Sequence, residues 1–217
     1  MMKKNLYLTI ILLSYQAIYA QQNPDAKKIL DALSEKTKSH KVIETDFKVT
    51  FKNMKEDIQN TSEGSIIIKG DKYRLKFMGT ESFYDGKTLW SYLPDVNEVN
   101  ITEPAPDDED IFNNPKRLFT IYENDYKYQL IENLNQDGKD YSLVDLYPIN
   151  LEEEYTRIRL QINITDYFLA SATIFGKDGS NYTISIDNYK TNANFEDSYF
   201  TFNESQYPKV EIVDMRF

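Results

Sequence analysis

The sequence predicts a mainly β protein with a few helices, built on one antiparallel sheet of about eleven strands. Three observations carry this. Apolar and polar residues alternate in short runs from Ile43 to Asn188, as half-buried strands require. Asp-Gly pairs at 85–86, 137–138 and 178–179 separate several of these runs, and such pairs supply the positive φ angles of tight type I′ turns. The 17 Tyr and 12 Phe against 7 Gly and 7 Pro are the composition of an aromatic β protein, not of a disordered chain.

The first twenty residues stand apart from the fold. Lys3 and Lys4 precede a short apolar run from Leu6 to Ala20, the pattern of a signal peptide cut before Gln21. That run is too short to span a bilayer comfortably, and no Cys follows the cut to be acylated. Residues 21–217 are expected to form one exported domain. Its first element is a helix: Asn23 is the N-cap, Pro24 fits the first turn, and Ala26, Ile29, Leu30 and Leu33 make one apolar stripe. The helix is expected to end near Ser39-His40.

Strands follow in order. Ile43, Phe47, Val49 and Phe51 alternate with polar residues, and Gly64 leads the compact run Ile66-Ile67-Ile68. Tyr73, Leu75 and Phe77 alternate with basic residues, and Tyr84 to Tyr92 reads as a hairpin about Asp85-Gly86. Val96, Val99 and Ile101 come next, then an acidic loop, Glu103 to Asp110, and a short second helix with Leu118, Phe119 and Tyr122 on one face. Five more strands read at Tyr126–Leu134, Lys139–Tyr147, Tyr155–Ile164, Phe168–Phe175 and Asn181–Asn188. A sheet of this size curls, splits or closes. The two helical stripes fit either a solid core or a lid over an apolar cavity, and periodicity does not separate these.

Charge and composition exclude several functions. The whole chain carries 25 basic and 35 acidic residues, and loss of Lys3 and Lys4 leaves about −12. Nucleic acid and anionic bilayers repel such a chain, so neither is an expected partner. Without cysteine there are no disulfides, thiolate metal sites or thiol catalysis. The single histidine, His40, reads as a capping residue. No nucleophile elbow, zinc-binding pair, phosphate loop or dinucleotide fingerprint is present. The acidic runs 107–110 and 152–154 lack calcium-loop spacing. An enzyme, a metal site and a cofactor are therefore not expected.

The hairpin Tyr84-Asp85-Gly86-Lys87-Thr88-Leu89-Trp90-Ser91-Tyr92, followed by Pro94 and Val99, resembles the central hairpin of the periplasmic outer-membrane lipoprotein carriers, the LolA-like family. The order of elements is similar too: an Asp25-Ala26 helix start, Phe47 in a strand, Gly64 to Lys69, Tyr73-Arg74-Leu75, then a Pro-containing helix. Asp197 to Phe202 and Tyr207 to Asp214 are similar to the family's ending.

The resemblance implies an incomplete (half) β-barrel whose apolar cavity is covered by helices. It also implies a periplasmic, monomeric carrier that takes acylated lipoproteins from an inner-membrane lipoprotein-releasing transporter to an outer-membrane receptor. Phe47, Val49, Phe51, Ile66, Ile68, Tyr73, Leu75, Phe77, Leu89 and Trp90 become candidates for the acyl-cavity lining. Leu89 and Trp90, being neighbours in a strand, must point to opposite faces. In the family an arginine holds the helical lid; Lys69 occupies that position here, and Arg74 is a second candidate for the lid contact. The alternative is a periplasmic lipid- or lipoprotein-sensing regulator on the same half-barrel; such sensors carry a second domain, for which this length leaves no room.

Overall fold

The computed structural model describes residues 23–105, 122 and 126–216. The expected signal segment, residues 106–110 of the acidic loop and residues 115–121 of the expected second helix lie outside these. α1 runs Pro24–Ser39. The Asn23 side chain accepts a hydrogen bond from the Ala26 N–H at 2.9 Å, satisfying a donor the first turn leaves open. The backbone N–H of His40 closes the other end on the Thr37 carbonyl. Ala26, Leu30 and Leu33 are fully buried, which contributes roughly 1.5–3 kcal/mol for each leucine.

Twelve strands follow: β1 (Ile43–Asn53), β2 (Ile58–Lys69), β3 (Lys72–Phe77), β4 (Thr80–Tyr84), β5 (Leu89–Leu93), β6 (Glu98–Thr102), β7 (Tyr126–Gln136), β8 (Lys139–Pro148), β9 (Tyr155–Asn163), β10 (Phe168–Gly176), β11 (Ser180–Thr191) and β12 (Glu211–Asp214). They form one sheet in the order β12-β6-β5-β4-β3-β2-β1-β11-β10-β9-β8-β7. The sheet curves but stays open, with β7 and β12 as its edges. Register shifts at Glu44/Asp46, Leu130/Glu132 and Leu169/Ser171 supply bulges, which increase local twist and bend the strands.

The twelfth strand is one more than the sequence predicts. β12 pairs with β6 in parallel, so no hairpin turn announces it. The turns also differ from expectation. Asp137 and Gly138 both take positive φ, as a type I′ turn requires, and so do Met78 and Gly79 between β3 and β4. The Asp85-Gly86 turn is longer: only Gly86 is left-handed, and the Asp85 carboxylate accepts from the N–H groups of Lys87 (2.9 Å) and Thr88 (2.8 Å).

One sheet face packs against α1, which sits over β7 and β10. Ile43, Ile66, Ile68, Tyr73, Leu75, Leu89, Val144, Leu146, Ile158, Leu160 and Ile162 from this face join Ala26, Leu30 and Leu33 in a continuous core. Residues 195–214 form a strap across the opposite face of β3–β6. It begins with a 3-10 turn at Asp197–Phe200 and ends in β12.

Candidate functional site

Strand register decides which side chains share the apolar face. Phe47 pairs with Gly64, Gly64 with Phe77, Ile68 with Tyr73, Tyr73 with Tyr84, and Tyr84 with Leu89. Phe47, Val49, Phe51, Ile66, Ile68, Tyr73, Leu75, Phe77 and Leu89 therefore line one side. Trp90 does not join them. It pairs with Phe83 and Ile101 on the opposite face, because adjacent strand residues alternate.

The apolar face is unevenly covered by the described residues. Ile66, Ile68, Tyr73, Leu75 and Leu89 are buried in the core, whereas Phe47, Phe77 and Ile186 are only partly buried beside it. The Phe47 and Phe77 rings lie 5.4 Å apart. Gly64 makes room for them: a Cβ there would sit 2.5 Å from Phe47 Cζ and 2.7 Å from the Lys76 carbonyl oxygen. Further along, half-buried Val49 and Phe51 lead to Tyr182, whose ring is 5.0 Å from Phe51 and which is 44% exposed. An aromatic, unevenly covered apolar surface of this kind suits apolar chains, not polar substrates.

A groove of about 700 Å³ lies elsewhere, on the opposite face of β1–β4. Asp46, Lys48, Glu63, Lys76 and Glu81 line it, with ion pairs at 3.2 Å (Lys48–Glu63) and 3.3 Å (Lys76–Glu81), and it reaches Phe47, Gly64 and Phe77 at its edge. Charged walls of this kind disfavour acyl chains along most of its length.

The two lid-contact candidates serve the strap. Lys69 Nζ donates to the Phe195 carbonyl at 2.7 Å and to Asp197 at 2.8 Å, and Lys72 reaches the same carboxylate at 2.6 Å. The Arg74 guanidinium binds Glu81 at 2.6 Å and is sandwiched between Phe83 (4.5 Å) and Tyr199 (4.4 Å). Both side chains lie on the face that the strap crosses, opposite α1. Beyond Asp197, Phe202 stacks on Tyr207, and both meet Tyr92. Sequence reading missed this strap; its signal is the aromatic density of residues 195–207, with nowhere on the α1 face to go.

The hydrogen bonds from Lys69, then Lys72, pull the Asp197 carboxyl down to about 2. A carboxylate depressed on folding stabilises the fold above its ordinary value near 4, and this contribution is lost as pH falls through about 2. Trp90 shares the strap's face, so its emission is expected to change over that window. Asp197→Asn should remove this step from the titration; an identical acid profile in the variant would dissociate the ion pair from the strap. His40, by contrast, is lowered by burial and packs edge-on against Tyr189 at 6.2 Å.

An open, curved and mainly antiparallel sheet that turns an apolar face to a covering helix defines a half-barrel fold. The chain belongs to the outer membrane lipoprotein carrier protein LolA family, whose sequence model matches residues 16–173. No curated protein matches it. Among solved structures, an uncharacterized conserved protein from Thermus thermophilus is 13% identical with a TM-score of 0.54, covering 88% of this chain and 99% of that one. A LolA superfamily protein from Nitrosomonas europaea is 15% identical with a TM-score of 0.44, covering 82% and 97%. A chain of the Pseudomonas aeruginosa MucA/MucB complex is 11% identical with a TM-score of 0.39, covering 82% and 61%.

Proposed function

We propose that the protein is a periplasmic carrier that shelters the acyl chains of lipoproteins against the apolar face and moves them from the inner to the outer membrane. It acts by binding, without catalysis. Residues 1–20 direct export and are removed near Ala20, and residues 21–217 form the single carrier domain. An inner-membrane lipoprotein-releasing transporter loads it and an outer-membrane receptor unloads it.

The observation that carries this reading is the run Phe47, Val49, Phe51 and Phe77, apolar and half-buried on the face α1 occupies. Membership of the carrier family supports it. So does energetics: each acyl methylene leaving a bilayer forfeits roughly 0.8 kcal/mol, which a soluble protein must restore by burying the chain.

Two measurements test the reading together. Mass spectrometry of the purified protein is expected to find co-purified acyl chains, and protein loaded with a fluorescent triacylated lipopeptide is expected to deliver it to acceptor vesicles bearing outer-membrane extract. No bound acyl chains and no lipopeptide binding would overturn the reading. Tight binding with no delivery would replace the carrier with a lipid-sensing regulator.

A further inference from the structure

On the face opposite α1, register aligns the side chains of β7–β11 and β1 in two rows. Lys127 pairs with Tyr147, Arg157 with Phe175, Phe175 with Asn181, and Asn181 with Lys52. In the next row Asp145 pairs with Arg159, Arg159 with Thr173, Thr173 with Thr183, and Thr183 with Thr50. Asp145 is 1% exposed. Arg159 holds it in a two-point contact, Nε to Oδ1 at 2.7 Å and Nη2 to Oδ2 at 2.9 Å, and the Tyr147 hydroxyl donates to it at 3.3 Å.

Arg157 adds a second cation to a carboxylate already satisfied. Its Nε lies 3.3 Å from Asp145 Oδ2 yet makes no hydrogen bond among the described residues. Its guanidinium lies on the Phe175 ring at 3.8 Å, a stacking contact that keeps it on the sheet. Both arginine side chains remain 32% exposed. With exposed Lys127 on the strand beside that of Asp145 and exposed Lys52 at the far end of the row on β1, four cations lie on this face in a chain of net charge −10. Glu132 borders the face beside Arg159. Between the cations the surface is threonine, with Thr173 and Thr183 hydroxyls hydrogen-bonded to each other at 3.0 Å.

We propose that this cationic sheet face docks an acidic segment of a partner protein. Guanidinium forks match carboxylates geometrically as well as in charge, and a flat threonine floor lets an extended acidic chain approach closely. A protein segment fits better than an anionic bilayer for two reasons. The net negative chain is repelled from a charged membrane over the screening length, and Lys127, Arg157 and Lys52 stand in one row across the strands, a line that an extended chain can follow. The proposal concerns the side of the sheet away from the acyl chains and stands independently of lipid carriage.

The test uses fluorescence anisotropy with a labelled oligoglutamate peptide and the purified protein. The triple variant Lys52→Gln, Lys127→Gln, Arg157→Gln keeps Arg159, so that Asp145 stays neutralised. A control, Lys28→Gln, Lys41→Gln, Lys87→Gln, removes the same charge from exposed sites elsewhere. Binding is expected to weaken with salt, to fall about tenfold in the patch variant and to stay within about twofold of the parent in the control. Equal losses in both variants would overturn the proposal by reducing it to net charge. So would loss in the patch variant of binding to phosphatidylglycerol vesicles with no peptide binding in the parent, or of self-association seen by sedimentation. Lipopeptide binding is expected to be unaffected by the patch variant.

Discussion

Phe200→Ala is expected to destabilise the protein by about 3–5 kcal/mol, a large share of the roughly 5–15 kcal/mol that holds a domain together. The Phe200 ring is fully buried, although it lies in the strap and not in the α1 core. Phe195 and Tyr199 pack on its edge, so removal leaves a cavity that the neighbouring turn does not fill. The remaining ties are the Phe202–Tyr207 stack on Tyr92, the pairing of β12 with β6, and polar contacts: Lys69 and Lys72 on Asp197, and the Asn97 side-chain amide donating to the Lys209 carbonyl at 2.9 Å. The exposed polar ties are weak singly. Urea unfolding followed through Trp90 is expected to show a lower midpoint. Limited proteolysis is expected to cut residues 195–214 first, since the strap can open locally. An unchanged midpoint together with an uncut strap would mean that Phe200 does not anchor it.

The strap also explains where sequence reading succeeded and where it could not. α1 was legible because its apolar stripe faces one way, and the four positions Ala26, Ile29, Leu30 and Leu33 all turn to the sheet. β1 and β3 were legible for the same reason, since one side is apolar and the other polar. β5 was not. Leu89, Trp90, Tyr92 and Leu93 form an almost unbroken apolar run because the core covers one face and the strap the other. Strands buried on both sides lose the alternation that reveals orientation. Hence Trp90 read as a cavity candidate beside Leu89, although only Leu89 faces the core.

Lys69 shows a second limit of sequence order. Sequence order places it at the end of β2, as a lid contact requires, but order says nothing about which distant segment supplies its partner. Phe195 and Asp197 lie more than a hundred residues downstream, and the carbonyl that Lys69 holds belongs to the strap. β12 was invisible for a related reason. It is four residues long, and its parallel pairing with β6 leaves no turn between the partners.

Phe47→Asp is expected to weaken binding of a triacylated lipopeptide at least about a hundredfold. Phe47 lies across Gly64 with its ring against Phe77, at the margin between the buried core and the half-buried stretch. Among the described residues, the cross-strand neighbours of Phe47 are Gly64 and Ile186, neither of which offers a cation to a carboxylate there. An acyl chain laid on that surface would bury the charge unpaired, and the cost of doing so exceeds what several methylenes contribute. Phe47→Leu keeps the face apolar and is expected to retain most of the affinity. Val96→Asp adds the same charge at an exposed turn residue and is expected to change nothing. Unfolding midpoints for all three variants separate lost binding from lost structure. A folded Phe47→Asp protein that bound the lipopeptide as tightly as its parent would remove the apolar face from the site and leave the acyl chains to be held elsewhere.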